Sequence, residues 1–464
     1  MDNTECNKEQ TMNIHLTNHV TLIDPPEDLM RKIRDMFTIK NPAWLENERM
    51  GRSNHNTCYW LQYFREDPAT MTVPRGAVGH ILWLCTELNI PWTILDDRRA
   101  LPPVNCSFNG ALKVYQERAV AEVLRRPFAV LRAPTGSGKT VMALSVIAAR
   151  RQPALIIVHT KELLHQWVDR IVTFLGIPRN EVGMIGNGAF TIGDTITVAI
   201  INSLYPVAED IKHHFGHVIV DECHRTPART FTEALCAFDA KYMLGLSATP
   251  YRRDGLTKLI TWFVGRTIGI KLDDLTEEDI VFNVEVMTRT TDFTPWYDPS
   301  REYSQMLSEL AKNENRNRLI VTDVVKEANN GGGTCLVLTD RKAHCETIGA
   351  LVRDTGISVD VLTSDTKDCE RKSIVSRLNA GDVKVLVATG QLIGEGFDCK
   401  RLSTLFLATP IKFSGRLIQY LGRILRPAPG KEKARVYDFV DVNVGVLRAS
   451  AKKRQQVYQQ YQNS

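Results

Sequence analysis

Two series of short, continuously apolar runs dominate this chain. The first comprises "FAVLRA", "ALIIVH", "TITVAII", "HVIVDE" and "YMLGLSAT"; the second "GTCLVLTD", "VDVLTS", "VKVLVATG", "TLFLATP" and "ARVYDFVD". A strand with one wet face alternates apolar and polar residues. These runs do not alternate, so they belong to strands covered on both faces. Helical stretches separate them, which predicts two parallel-sheet α/β domains over 106–270 and 315–445.

At 464 residues the chain exceeds the roughly 250–300 residues one hydrophobic core can serve, so further domains are expected. Residues 1–105 read as a small α+β N-terminal domain, with a helix over Gly76–Leu88, a strand over Trp92–Leu95 and an exit at Pro102 and Pro103. Arg49 and Arg52 interleave there with Trp44, Tyr59, Trp60 and Tyr63, a mixture that suits either a small core or stacking on unpaired bases. Residues 271–314 read as a connector and 446–464 as a polar tail, helical or frayed.

With 43% hydrophobic and 24% charged residues the composition is that of a soluble globular protein, and no apolar run nears the ~20 residues of a membrane span. The opening "MDNTECNKEQTMNIH" lacks the basic and apolar regions of a secretory signal, so a cytoplasmic location is expected. Ten cysteines without a C-x-x-C pair argue against a disulfide framework and a zinc knuckle. "HHFGH" at 213–217 has no carboxylate or cysteine partner and reads as a solvated loop rather than a metal cluster. The net charge of +5 suits a polyanionic partner without requiring one.

"LRAPTGSGKT" stands between a buried strand and the helical "VMALSVIAAR". Its spacing from Ala133 to Thr140 places Pro134, Thr135, Gly136, Ser137 and Gly138 around a phosphate group, with glycines where a Cβ would obstruct the backbone N–H groups. Lys139 is positioned for the β- and γ-phosphates and Thr140 for Mg²⁺. "HVIVDECHR" ends another strand with Asp221, suited to the Mg²⁺ shell, and Glu222, suited to deprotonating a water. Alone, such an acid pair could equally be a solvated turn; beside a phosphate loop the catalytic reading prevails.

These segments, with "KVYQERA", "HTKELLHQW", "INSL", "SATP", "TGQLIGEGFD" and "QYLGRILRP", occur in the order of the superfamily 2 helicase motifs. Nearly everything after residue 105 resembles that DEAD/DEAH-type family. "LGLSATPYRRDG", "DECH" and the size of the N-terminal domain resemble its XPB and UvsW branch, although Arg253 stands where the XPB pattern has an acid.

The resemblance implies two tandem RecA-like motor domains driven by ATP and Mg²⁺. Gln116 is then similar to the residue that reads adenine, Gln419 to one near the γ-phosphate, and Arg423 and Arg426 to arginine fingers that stabilise charge on the transferred phosphoryl group. Glu395, Gly396 and Asp398 resemble a loop touching ribose, and Ser247 and Thr249 the link between hydrolysis and strand movement. Lys161, Asn202, Arg341, Lys342 and Thr389 become candidates for gripping nucleic-acid phosphates.

The resemblance further implies a 3′ to 5′ motor on forked or branched DNA in repair or recombination, with DNA as partner. Two alternatives stay open: an RNA helicase, since the motor motifs do not distinguish the sugars, and a noncatalytic clamp that binds ATP as a structural ligand.

Overall fold

The computed structural model describes residues 11–134, 136–225, 228–248, 255–270, 284–330, 333–394, 399, 401–411, 417, 420–422, 424 and 434–462. The chain divides into two compact units, one of Met1–Ala133 with Gly138–Ile270 and the other of Pro134–Ser137 with Lys271–Ser464.

The first apolar series forms an eight-stranded sheet. Across it run Ala189–Phe190, Gly183–Gly186, Ile196–Ile200, Ala154–Val158, His217–Val220, Tyr242–Ser247, Phe128–Arg132 and Arg266–Gly269. Every neighbouring pair is parallel except Ala189–Phe190 with Gly183–Gly186. All of Ala154–Val158 and His217–Val220 is buried, as strands covered on both faces must be. Side by side, His217–Val220, Tyr242–Ser247 and Phe128–Arg132 open their carboxyl ends onto "DECH", "SATP" and the glycine-rich loop.

The second series forms a six-stranded, wholly parallel sheet. Its order is Val284–Thr291, Ala434–Asp441, Leu402–Leu407, Thr334–Thr339, Val385–Thr389 and Val359–Leu362. Val359–Leu362 lies at the edge and is only half-buried, which its short apolar run did not distinguish from the central strands. The chain continues into a helix over Gly445–Gln462.

The N-terminal residues form a separate five-stranded sheet in the order Arg65–Asp67, Thr70–Pro74, His19–Ile23, Met12–Leu16 and Trp92–Asp96. It shares a compact unit with the eight-stranded sheet. Arg75 is buried between them, donating from Nη1 to the Ala240 carbonyl at 3.0 Å with its guanidinium 5.1 Å from the Phe128 ring. Gly76 follows because a Cβ there would lie 2.8 Å from the Gly265 nitrogen and the Trp262 oxygen. A helix over Val78–Glu87 and the strand Trp92–Asp96 occupy the stretches read from the sequence.

Within "HHFGH", His213 and His214 are exposed as a solvated loop requires, but the segment turns inward after them. His217 opens a central strand, wholly buried, with Nε2 2.9 Å from Arg150 Nη1. Burial and the Arg150 charge hold it well below the usual imidazole range, so it serves as a neutral hydrogen-bonding residue of the sheet. Among the described residues, no helix is long and apolar enough to cross a membrane, and no cluster of three or more His, Cys, Asp or Glu is poised for a metal ion.

Candidate active site

The glycine-rich loop leaves Phe128–Arg132 and enters the helix Lys139–Arg150, with Gly138 as its N-cap. Gly136 and Gly138 adopt left-handed φ values of 89° and 83°, which glycine tolerates best. A Cβ at Gly138 would approach Gln116 Nε2 to 2.5 Å. Gln116 is itself buried and its Oε1 accepts the Lys113 N–H at 3.0 Å, so the amide packs against the loop while capping its own helix, Val114–Leu124. Lys139 and Thr140 occupy the first helical positions, where unpaired N–H groups and the helix dipole favour anionic phosphate. Lys139 Nζ donates to the Ala133 carbonyl at 3.1 Å, and the Ala133 N–H donates to Ser247 O at 3.1 Å.

Asp221 and Glu222 follow the strand His217–Val220. Trp167, buried on the helix Lys161–Leu175, donates its indole N–H to Asp221 Oδ2 at 2.9 Å, and the Glu222 N–H donates to Asp221 Oδ1 at 2.9 Å. Burial and the adjacent Glu222 charge push the Asp221 carboxyl up to about 6. Burial acts on Glu222 in the same direction, but the neighbouring Lys139, His224 and Arg225 outweigh it and leave this carboxyl below its ordinary value. A charged carboxylate is what a water-activating base requires.

Glu222 also has a left-handed backbone, φ 46°. Its carbonyl lies 3.2 Å from His159 Nε2, and burial lowers His159, so the neutral imidazole donates there. Among the described residues Glu222 Oε2 is buried without a hydrogen-bond partner. The nearby His224 Nδ1, at 3.4 Å, lies 2.9 Å from Ser247 Oγ. His224 therefore bridges the acid pair and the start of "SATP".

A phosphate cradle, a lysine within electrostatic reach of both acids, a carboxyl driven up by burial and its acidic neighbour, and a buried oxygen without a hydrogen bond among the described residues fit a nucleoside triphosphate with a hydrated divalent cation. Each feature would be relieved by the charges such a ligand brings.

The remaining expected residues are placed as follows. Lys161 begins its helix after Thr160, whose Oγ1 accepts the Leu163 N–H at 3.3 Å; Asn202 is exposed on the short helix Ile201–Leu204. Both lie past the carboxyl ends of neighbouring strands. In the second unit, Arg341 and Lys342 follow Thr334–Thr339, and Thr389 ends the neighbouring Val385–Thr389. Arg341 Nη2 donates to Ser304 O at 2.9 Å and Ser304 Oγ at 2.7 Å, whereas exposed Lys342 meets Asp365 at 2.6 Å. Thr135, Thr249, Glu395, Gly396, Asp398, Gln419, Arg423 and Arg426 lie outside the described residues.

Sequence reasoning assigned no role to His159, Trp167 or His224. A signal existed for Trp167: it shares an apolar helical face with Leu164, Val168 and Ile171, and a buried indole N–H needs an acceptor.

Comparisons with known proteins show what the chain is similar to. The family described as "Type III restriction enzyme, res subunit" matches residues 109–252 and the family described as "Helicase conserved C-terminal domain" matches 305–428. The DNA 3′-5′ translocase XPB2 of Sulfurisphaera tokodaii is 26% identical over 74% of this chain and 84% of its own length. The L396 protein of Acanthamoeba polyphaga mimivirus, which carries the name of an ATP-dependent RNA helicase, is 25% identical over 77% of this chain and 69% of its own. Among solved structures, Saccharomyces cerevisiae Dbp5 bound to RNA and ADP BeF3 shares the fold with a TM-score of 0.53 at 14% identity, over 76% of this chain and 88% of that one. The chain carries the two domains of an ATP-dependent helicase of superfamily 2 and is similar to the XPB-type translocases.

Proposed function

We propose that this helicase is a DNA motor that moves 3′ to 5′ and remodels forked or branched DNA in repair or recombination. The observation that carries the choice of DNA is the likeness to a protein named as a DNA 3′-5′ translocase over 84% of that relative's length, joined to the XPB-like stretch after "SATP". The relative named for RNA keeps an RNA motor as the second reading.

In this reading Thr140 and Asp221 would hold Mg²⁺, which would supply charge neutralisation at the phosphates, and Trp167 orients the Asp221 carboxylate. Lys139 binds the β- and γ-phosphates. Glu222 orients the attacking water through Oε2, which accepts no hydrogen bond among the described residues, and accepts its proton. His224 couples the acid pair to Ser247, so that a change at the γ-phosphate is felt in the segment leading to the nucleic-acid track. Gln116 and the glycines hold the loop for the nucleotide; Gln419, Arg423 and Arg426 complete the transition-state charge, and Gly396 and Asp398 contact the ribose. Lys161, Asn202, Arg341, Lys342 and Thr389 grip the strand, Arg341 on release from Ser304.

The test is steady-state ATP hydrolysis by the wild type and by Glu222→Gln, without nucleic acid and with single-stranded DNA, forked DNA and matched RNA. Stimulation strongest with forked DNA and lost in the variant is the expected result. Equal or greater stimulation by RNA selects the second reading, and a wild type that hydrolyses nothing leaves a noncatalytic clamp.

A further inference from the structure

Residues 38 to 62 contain no buried residue. A two-stranded sheet pairs Thr38–Lys40 with Trp60–Gln62 and encloses the helix Pro42–Arg49. Local hydrogen bonds hold this lobe, with Ile39 and Leu61 of its hairpin packed against the core of the same unit. Asn41 caps the helix by accepting the Ala43 N–H at 3.0 Å and donates to Cys58 O at 2.8 Å, while Asn54 bridges Asn47 at 3.0 Å and Trp44 O at 3.2 Å. Of the aromatic residues that the sequence left open between core and base stacking, Tyr63 packs against the core, whereas Trp44, Tyr59 and Trp60 belong to this lobe.

Their arrangement suits a ligand. Trp44, Tyr59 and Trp60 touch edge to face, with centroids 4.6 and 4.8 Å apart, and Trp60 is 51% exposed. Lys40 stands directly across the hairpin from Trp60, its Nζ 5.9 Å from that ring and 5.7 Å from Tyr59. Among the described residues, cations elsewhere in the N-terminal region are paired with acids, such as Arg31 with Asp28, Lys32 with Glu87, Arg34 with Glu27 and Glu66, and Arg98 with Asp96, while Arg75 is buried against a carbonyl. Lys40, Arg49 and Arg52 have no ion-pair partner among the described residues, although Glu46 and Glu48 lie on the same helix.

The lobe is mounted on the motor. Phe37 and Tyr63, at its two ends, pack on Trp262 with centroids 4.8 and 5.6 Å away, and a Cβ on Gly255 would lie 3.1 Å from Pro42 Cγ. The helix Lys258–Phe263 that carries Trp262 comes next in the chain after the strand ending at Ser247.

We propose that this lobe is a docking platform for single-stranded DNA, with the Trp60 ring stacking on a base and Lys40, Arg49 and Arg52 meeting the phosphates. Exposed rings beside unmatched cations are the chemistry by which proteins hold single strands with little sequence preference. A protein partner would favour a broader apolar patch without three unmatched cations at its edge. The inference rests on the DNA-motor reading and locates where the displaced strand is held.

The test measures binding of a fluorescent oligo-dT, a matched single-stranded RNA and a blunt duplex by anisotropy, with DNA-stimulated ATP hydrolysis on the same samples. Trp60→Ala, Lys40→Ala and a control, Trp83→Ala, are compared; Trp83 is 58% exposed outside the lobe. Trp60→Ala should weaken oligo-dT binding about fivefold or more, as loss of one stacked base does. It should leave duplex binding and DNA-free hydrolysis unchanged. Lys40→Ala should lower the salt slope of single-strand binding by about 0.7. Unchanged oligo-dT affinity in Trp60→Ala, an equal loss in Trp83→Ala, or tighter binding of matched RNA at the lobe overturns the platform. If the wild type is stimulated by DNA and Trp60→Ala is indistinguishable from it, only the platform fails; if no DNA stimulates the wild type, the motor reading fails and the platform with it.

Discussion

Both compact units bury aspartates, but they treat them in opposite ways. In the second unit, Asp441 takes Arg316 Nε at 2.8 Å and the Thr291 hydroxyl at 2.6 Å, and Asp438 takes two Arg454 nitrogens at 2.8 Å and the Tyr458 hydroxyl at 3.0 Å. The side chains of Arg316 and Asp441 are 0% exposed. In the first unit, Asp221 is crowded by a second acid, and Glu222 keeps an oxygen without a hydrogen-bond donor among the described residues. A buried acid satisfied from within the fold is structural. One left wanting is prepared for something that arrives later.

The largest effect should come from the unsatisfied side. Glu222→Gln keeps the shape but removes the base, and steady-state hydrolysis is expected to fall about 10²- to 10⁴-fold. Its thermal midpoint should not drop. A drop comparable to a core lesion would mean that Glu222 is structural and would break the contrast.

On the satisfied side, Arg316→Ala strands Asp441 in the interior. Thermal or denaturant unfolding should show a loss of about 3–5 kcal/mol. A neutral result would mean that the pair contributes nothing and that burial alone does not separate the two classes.

A third measurement sharpens the comparison through pH. His344 is buried between Thr339 Oγ1 at 3.1 Å and Asn317 Oδ1 at 2.9 Å, and burial with the nearby Arg316 charge lowers it to about 3. Between that value and the ordinary 6.5 the unfolded chain binds the proton and the folded chain does not. Stability is therefore full above pH 6.5 and declines on acidification, by about 2 kcal/mol at most between pH 6.5 and 5 from this group. Unfolding midpoints at pH 7.5 and 5 should differ in that direction, and His344→Gln should flatten the difference.

The smallest effect belongs to the exposed pair Lys342–Asp365. Lys342→Ala should change stability by about 0.5 kcal/mol or less. Any loss of nucleic-acid affinity in that variant, measured by anisotropy, then reports contact rather than unfolding.

What was legible before the structure was local. Unalternating runs announced both sheets, and the two glycines announced a loop whose backbone must turn left-handed at Gly136 and Gly138. What was not legible joins distant positions. Trp167 meets Asp221 across 54 residues and His224 meets Ser247 across 23, and no spacing rule predicts such pairs. Burial is equally non-local: His217 sits in a polar-looking run yet is wholly buried, while Trp60 sits among core-like aromatics yet is half exposed. Each outcome depends on which surface folds over the residue, a property that neither residue carries alone.

The left-handed backbone of Glu222 has a consequence for anyone who would improve this protein. An L-residue held at φ 46° stores conformational strain, and glycine would release it. Selecting variants for heat resistance alone should therefore favour Glu222→Gly, and the population would grow sturdier as it lost its chemistry. Thermostabilisation of this motor has to be run with hydrolysis as a second criterion, because at this position durability and turnover select opposite residues.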